Sequence, residues 1–209
     1  MSIVLEKRGT ISLEKDTRYG RIGLGWHVNE MPGAPEHDFD VSVLLLGQNG
    51  MCNRDEDFIF YNNLRGRNDC VVHTGDDKTG SSDDGYGSDR GTDGNYVNDC
   101  EVVKIDFDAI PADIYKIVVI CTIYEADKRR QTFQDAKNAY IRLVKVDSPD
   151  DEFGTEKVRF NMSRDLGFEN GVIAAEIARD GRGWAFNAVG DGFSGGLAYL
   201  LPKYGLNVG

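Results

Sequence analysis

Short runs of β-branched and aromatic residues, separated by Gly, Asn and Asp, recur along the whole of this 209-residue chain. Runs of this length with little helical periodicity predict a mainly β fold, an antiparallel β-sandwich. The ten predicted strands are SIVLEK, RIGLGWHV, FDVSVLLLG, DFIFYN, EVVKIDF, YKIVVICTIYE, AYIRLVKV, KVRFNM, VIAAEIAR and GWAFNAVG. The segment ARDGRGWAF predicts a hairpin between the last two, because Asp-Gly favours a tight turn.

Helical patterns are scarce and short. A single turn is predicted at TFQDAKN, and a short C-terminal helix at GGLAYLLPKYG. The helix should end or kink near Pro202, because proline has no N–H to donate and its ring clashes with the preceding turn. No linker or internal repeat divides the chain, so a single domain is expected over residues 1–209.

The first part of the segment DFDVSVLLL alternates between polar and apolar residues. Alternation along a strand puts four apolar side chains on one face: Phe39, Val41, Val43 and Leu45. Asp38, Asp40 and Ser42 then share the opposite face near the start of the strand. Two carboxylates one pleat apart repel each other unless they are solvated or bridged by a cation, and the pattern leaves both explanations open.

The composition excludes several classes of function. A formal net charge of -11 disfavours binding to nucleic acid, since the phosphates would be repelled. The N-terminus MSIVLEKRGT lacks the apolar stretch of a signal peptide, and no apolar run is long enough to span a bilayer. The cysteines form no CxxC pair, which favours reduced thiols and a cytoplasmic protein; they are Cys52, Cys70, Cys100 and Cys121.

Residues 73–101 carry eight acidic side chains among many glycines. A solvated loop, a phosphate-binding loop and a cage for a hard cation would all be rich in glycine. The phosphate explanation fails, because GDDKTGSS has no lysine directly after its second glycine and its carboxylates would oppose a triphosphate. A hard cation such as Ca²⁺ takes six to eight oxygen ligands, which this segment could supply.

Two further motifs lie near the C-terminus and lack the context that their chemistry needs. GDGFSG fits a dinucleotide-binding pattern, but no complete βαβ unit surrounds it. GFSGG fits a nucleophile elbow around Ser194, but every histidine lies upstream of this serine, whereas an α/β-hydrolase places its histidine downstream. A tight strand-to-helix turn is the prediction for these glycines.

Several segments, taken in order, resemble the TerD family of tellurium-resistance and stress-response proteins. They are RIGLGWHV, DFDVSVLLLG, DFIFYNNL, HTGDDKTG, IPADIYKIVVICTIYEADKRRQTFQDAKNAYIRL and WAFNAVGDGFSGGLAYLLPKYGLNV. The resemblance runs from about Ser2 to Val208 with one insertion. It implies a β-sandwich with a loop-borne Ca²⁺ site like that of C2 domains, in proteins encoded by bacterial tellurite-, phage- and colicin-resistance operons.

The resemblance also implies a set of metal ligands. The family signature GDNxTG followed by GDDE is matched here by GDDKTG and NDCE, and the family motif DLDAS by DFDVS. The residues carried over are Asp38, Asp40, Asp76, Asp77, Thr79, Asp99 and Glu101. Cys100 departs from the pattern, and Glu125 stands where the family usually has aspartate. An acidic, glycine-rich insertion at about 81–97 offers Asp83, Asp84 or Asp89 as the substitute for the ligand missing at Cys100.

The expected function is therefore that of a non-enzymatic module that binds one or two Ca²⁺ ions, which order the acidic loops and control a partner interaction. The expected partners are other proteins of the resistance or stress system, with a membrane-associated complex as one candidate, and neither nucleic acid nor direct membrane insertion. Two alternatives stay open: a constitutive assembly subunit with a solvated loop, and a metal-dependent hydrolase. Direct tellurite reduction by the thiols is disfavoured, since no cysteine pair is visible.

Overall fold

The fold is described from a computed structural model that covers residues 2–26, 37–75, 86–90, 96–135, 139–151, 153–162 and 166–207. Two six-stranded sheets, which we name sheet A and sheet B, make up most of the described chain. Strands and helices are numbered in chain order.

Sheet A contains, from edge to edge, β1 (Ile3–Leu5), β12 (Thr155–Asn161), β11 (Tyr140–Val146), β3 (Tyr19–Gly25), β9 (Glu101–Asp106) and β6 (Val71–His73). Its neighbours pair antiparallel except at one edge, where β1 runs parallel to β12. The expected antiparallel sandwich is thus confirmed, with this one parallel pair at the edge of sheet A. The three residues of β1 pair with a strand about 150 residues away, so no turn constrains their direction.

Sheet B is antiparallel throughout the pairs described. It contains, in order, β2 (Thr10–Ser12), β14 (Trp184–Phe193), β13 (Gly171–Arg179), β10 (Ile114–Ile123), β4 (Phe39–Gly47) and β5 (Phe58–Ile59). The predicted hairpin between β13 and β14 is confirmed: the Asp180 N–H donates to the Gly183 carbonyl, and Gly181 has a positive φ of 78°.

A third, two-stranded ribbon is formed by β7 (Tyr86–Arg90) and β8 (Tyr96–Asp99), which we call the β7–β8 ribbon. The ribbon coincides in large part with the predicted acidic insertion, and β8 contacts β3 of sheet A. Sequence periodicity missed both strands, as it missed β2 and β6, because strands of three to five residues carry too little alternation to be recognised.

The helices are short. They are α1 (Ala126–Arg129) and α2 (Gly196–Leu200), with 3₁₀ turns at Asp55–Asp57, Arg67–Asp69, Phe133–Asp135 and Leu201–Tyr204. The predicted C-terminal helix is confirmed, and the α-helix gives way to the 3₁₀ turn that contains Pro202. None of the helices in the described ranges has the length and apolar character needed to cross a membrane.

The glycine-rich motif near the C-terminus forms the predicted strand-to-helix turn. Gly195 and Gly196, which follow the end of β14, have φ angles of 97° and 60°, a region that residues other than glycine rarely adopt. The backbone leaves β14 here and enters α2 within three residues. The conformational freedom of these glycines is therefore used for the turn.

The main core lies between the two sheets and is built as the pattern of β4 predicts. Phe39, Val41, Val43 and Leu45 are at most 1% exposed and belong to this core. The opposite side of β4 is buried as well, because Leu44 and Leu46 pack with residues of the C-terminal segment in a second apolar cluster. Asp38 and Asp40, which precede these residues on the same side of the strand, are therefore buried next to apolar side chains.

Replacing Phe133 with alanine should destabilise the protein by about 3 to 5 kcal/mol, because it would leave a cavity in the core between the sheets. The ring is 0% exposed and lies 5.2 Å from that of Phe39, centroid to centroid. The measurement is urea unfolding. Phe168→Ala is the control, since that ring is 79% exposed and its removal should change stability by no more than about 0.5 kcal/mol. Equal losses in both variants would contradict this assignment of the core.

Candidate functional site

The two sheets are linked at the backbone of Val41, near the start of β4. Strand β5 pairs only with Val43 and Leu44, so it does not reach this residue. Side chains of sheet A bond there instead: Glu101 Oε2 accepts from the Val41 N–H at 2.5 Å, and His73 Nε2 lies 3.2 Å from the Val41 carbonyl oxygen. Glu101 and His73 thus satisfy backbone groups that a neighbouring strand would otherwise bond.

His73 also holds the beginning of the acidic segment. Its ring is buried, and Nδ1 accepts a hydrogen bond from the Gly75 N–H at 3.1 Å. Because Nδ1 is the acceptor, we assign the proton to Nε2, which then donates to the Val41 carbonyl. Gly75 has a φ of 128°, which suits glycine alone among common residues. His73 therefore holds Gly75, the first residue of the segment GDDKTG, next to Val41 and is itself a hydrogen-bonded structural residue.

Glu101 and Asp40 lie close to Val41 but belong to different sheets. Glu101 is 1% exposed and shares the inner face of β9 with the core residues Val103 and Ile105. Asp40 is 6% exposed and precedes Val41 on β4. Burial raises the pKa of the Cys121 thiol, and the charges of Glu101 and Asp40 raise it further. Since Cys121 pairs directly with Val41, the two carboxylates flank one point of the fold.

Asp38 completes the acidic group at the start of β4. Its side chain is buried, and the Tyr124 N–H donates to its main-chain carbonyl at 2.8 Å. Its carboxylate lies 3.4 Å from the Arg129 guanidinium, which α1 positions after β10. Sequence reasoning did not single out Arg129, although it lies in the RRQTF motif that supports the family resemblance. Glu125 instead forms an ion pair with Lys128.

Asp99 lies on the other side of sheet A. It ends β8 and is 1% exposed. Its carboxylate accepts hydrogen bonds from the Tyr140 hydroxyl at 3.1 Å, from Arg142 Nε at 2.8 Å and from an Arg142 terminal nitrogen at 2.8 Å. Tyr140 and Arg142 alternate along β11 with the core residues Ile141 and Leu143, so they face away from the sandwich interior. Asp99 and Glu101 therefore occupy opposite faces of sheet A.

The ion pair between Asp99 and Arg142 is fully buried, with both side chains 0% exposed. Burial alone would lower the pKa of Arg142, but hydrogen bonding to Asp99 together with the negative charges of Asp99 and Glu156 keeps that pKa above its ordinary value. Burial raises the pKa of Tyr140 well above its ordinary value, and the Asp99 charge adds to this, so the hydroxyl stays protonated and donates. Each oxygen of Asp99 accepts from Arg142, and one also accepts from Tyr140.

The predicted ligands are thus only partly brought together. Asp38, Asp40 and Glu101 lie around the start of β4, which we call the β4 corner: these three acids with His73 and Val41. Asp99 is held on the opposite face of sheet A by Arg142. Asp76, Asp77, Thr79, Asp83 and Asp84 lie outside the described residues, as does most of the predicted acidic insertion. Within the described ranges, no three His, Cys, Asp or Glu side chains are grouped as a metal site would require.

Arg142→Met should destabilise the protein by about 3 to 5 kcal/mol, because it leaves the Asp99 charge buried without its partner. Chemical denaturation at neutral pH measures the loss. Arg182→Met is the control: it removes the same charge from an exposed turn, where little change is expected. A loss below about 1 kcal/mol in Arg142→Met would show that Asp99 is not buried against this residue.

Comparison with known proteins agrees with the sequence resemblance. The TerD domain family matches residues 1–204. The tellurium resistance protein TerD of an Alcaligenes species is 38% identical over 99% of both chains, and general stress protein 16U of Bacillus subtilis is 39% identical over the full length of both. A crystal structure of a homologue of the telluride resistance protein from Streptomyces coelicolor superposes with a TM-score of 0.65. It covers 88% of this chain and 95% of its own, and at 16% identity it supports the fold alone. The chain therefore belongs to the TerD family of tellurium-resistance and stress-response proteins.

Proposed function

We propose that the chain is a non-enzymatic Ca²⁺-binding module in which the cation binds at the β4 corner. The observation that carries the proposal is the convergence of two sheets and the acidic segment on Val41. Glu101 reaches Val41 from sheet A, Asp40 adjoins it on β4, and His73 anchors Gly75 beside it. The oxygen-rich sequence GDDKTG therefore continues from a point that already has buried carboxylates.

The donor set fits a hard divalent cation. The proposed ligands are Asp38, Asp40 and Glu101 of the described structure, completed by Asp76, Asp77 and Thr79 from the segment after Gly75. Carboxylate and hydroxyl oxygens are the ligands that Ca²⁺ prefers, whereas Zn²⁺ favours the nitrogen and sulfur donors that this set lacks. Asp99 is left out of the proposed ligands, because Arg142 and Tyr140 already bind its carboxylate.

The proposed action of the cation is electrostatic. The carboxylates around the β4 corner lie in a chain with net charge -11 and close in sequence to the acids that follow Gly75, and like charges so placed repel one another. A divalent cation offsets this repulsion, and the loop that contributes ligands becomes ordered around it. The ordered loop would then present a surface to a partner protein of the resistance or stress system. The family membership supports this class of partner.

Ca²⁺ should stabilise the protein by about 2.7 kcal/mol when its concentration is one hundred times the dissociation constant, because only the folded chain assembles the ligands. Thermal unfolding with and without Ca²⁺, together with calorimetric titration, measures this effect. The double variant Asp38→Asn, Asp40→Asn should lose the stabilisation, since two of the proposed ligands lose their charge.

The matched control for that experiment is Asp147→Asn, Asp150→Asn, which changes the net charge equally at exposed positions beyond β11. It should retain the response to Ca²⁺. If millimolar Ca²⁺ leaves the unfolding of the unmodified protein unchanged, the proposal is wrong. In that case the constitutive assembly subunit with a solvated acidic segment becomes the better explanation.

A metal-dependent hydrolase is less well supported by the geometry. His73 is the histidine nearest to the acidic segment, and a base would have to be free to take a proton from water. Both of its ring nitrogens are engaged, one by the Gly75 N–H and the other by the Val41 carbonyl, and the ring is 2% exposed. His73 therefore serves to hold the corner together.

Thiol chemistry on tellurite is also disfavoured by the placement of the cysteines. All four are thiols outside any disulfide; Cys52, Cys70 and Cys121 are buried, and Cys100 is partly buried. Burial raises the pKa of Cys52 and of Cys70 to about 11. Since the thiolate is the reactive form, these two would be almost wholly unreactive near neutral pH.

An aromatic disulfide reagent at pH 8 should therefore modify Cys100 before any other cysteine of the native protein. The fast phase of labelling, followed by absorbance, should correspond to one thiol and disappear in Cys100→Ser. The same variant should retain the Ca²⁺ response. Fast labelling that persists in Cys100→Ser would show that a cysteine assigned to the interior is accessible.

A further inference from the structure

We infer that Arg142 is a positioning residue for the β4 corner: by binding Asp99 it docks the β7–β8 ribbon on sheet A and so orients Glu101. The inference deepens the proposed function and rests on it for the cation. Arg142 lies on the opposite face of the sheet from Glu101, where its guanidinium donates to Asp99 and Glu156.

The chain passes from the β7–β8 ribbon into sheet A between Asp99 and Glu101. Asp99 is the last residue of β8 in the ribbon, and Glu101 is the first residue of β9 in sheet A. At the bend between them the Cys100 N–H donates to the Leu24 carbonyl at 2.8 Å, and Leu24 then pairs with Glu101. Consecutive residues of a strand are only about 3.3 Å apart. A displacement of Asp99 would therefore also move Cys100 and change the orientation of the Glu101 side chain.

The seat of Asp99 on sheet A is closely fitted. A Cβ atom at Gly23 would lie 2.1 Å from the carboxylate carbon of Asp99 and 2.2 Å from one of its oxygens. No larger residue at position 23 leaves room for the carboxylate. Gly23 pairs with Arg142 on one side and with Val102 on the other, so the space it leaves opens directly onto the guanidinium.

The face beneath the ribbon carries two adjacent arginines, which are bound by Glu156 of the sheet and by Asp99 of the ribbon. Arg142 lies directly opposite Arg159 in the pairing of β11 with β12, and like charges in that position destabilise a sheet. Glu156 accepts from both arginines, at 3.3 Å and 2.7 Å, and so compensates one positive charge of the pair. Asp99, delivered by β8, compensates the second. The ion pair between Asp99 and Arg142 thus holds the ribbon on sheet A and also compensates a buried positive charge of that sheet.

Loss of this ion pair should release β8 and weaken cation binding at the corner, although Arg142 cannot ligate a cation. Energetic coupling between sites typically changes an affinity by about 5- to 150-fold. A weakening in this range is the expected effect of breaking the ion pair. A residue that only stabilises the fold would leave the dissociation constant of the folded protein unchanged.

Three variants test the inference in the full chain. Gly23→Ala displaces the Asp99 carboxylate without any change of charge, and Arg142→Gln removes the partner of that carboxylate. Gly167→Ala is the control, since its Cβ would lie 3.6 Å from its nearest neighbour, an ordinary contact. Hydrogen exchange of Tyr86–Asp99 in the metal-free protein reports docking of the ribbon, and calorimetry with Ca²⁺ alone reports affinity.

The expected result is faster exchange in the ribbon and about 5- to 150-fold weaker Ca²⁺ binding in both Gly23→Ala and Arg142→Gln, with neither change in Gly167→Ala. Gly23→Ala is decisive if Arg142→Gln fails to fold. Unchanged Ca²⁺ affinity in a folded variant whose ribbon is released would overturn the positioning role. Unchanged exchange in the ribbon would overturn the docking.

Asp99→Asn separates this role from direct ligation. If Asp99 were a ligand, its variant would lose affinity, whereas Arg142→Gln would keep or gain affinity because a competing cation is removed. If Asp99 acts through the ion pair, both variants lose affinity. Absence of Ca²⁺ binding in the unmodified protein would refute the proposed function and the positioning role together. Exchange in the metal-free ribbon would still decide whether Arg142 docks it.

Discussion

A carboxylate can be buried only where hydrogen-bond donors or cations replace the water it loses, and this constraint organises the acidic half of the molecule. Asp38, Asp40, Asp99 and Glu101 are all at most 6% exposed. Each of these acids lies in or next to a strand that packs against the rest of the sandwich, and this packing buries it. The compensating groups therefore decide what each acid can do, and they differ from one acid to the next.

Asp99 and Glu101 show how differently two neighbouring acids can be compensated. Arg142 neutralises Asp99 with a paired set of hydrogen bonds, which makes it a structural residue. Glu101 accepts from the backbone N–H of Val41 at the point where the two sheets meet, and its Oε2 lies 3.7 Å from His73 Nε2. It is therefore bound to the β4 corner, whereas Asp99 is bound to the opposite face of sheet A.

The sequence predicted much of the fold because its strands are long and strongly alternating. The apolar face of β4 and the turn between β13 and β14 follow from period-two patterning and from Asp-Gly chemistry, both of which are local. The three-residue strands β2 and β6 were missed, since their pairing depends on partners far away in the chain. The parallel pairing of β1 with β12 was not predicted either, for the same reason.

The candidate site, like the fold, was predicted from the sequence only in part. The sequence by itself determined which oxygen-bearing residues are available, that they cluster on glycine-rich backbone, and to which family the pattern belongs. Only the tertiary structure decided that Asp99 and Glu101 face opposite sides of sheet A, and that His73 joins Val41 to the acidic segment. The reason is physical: composition and spacing record which charges are near in the chain, whereas burial and the choice of partner depend on strands that the chain brings together from more than 30 residues away.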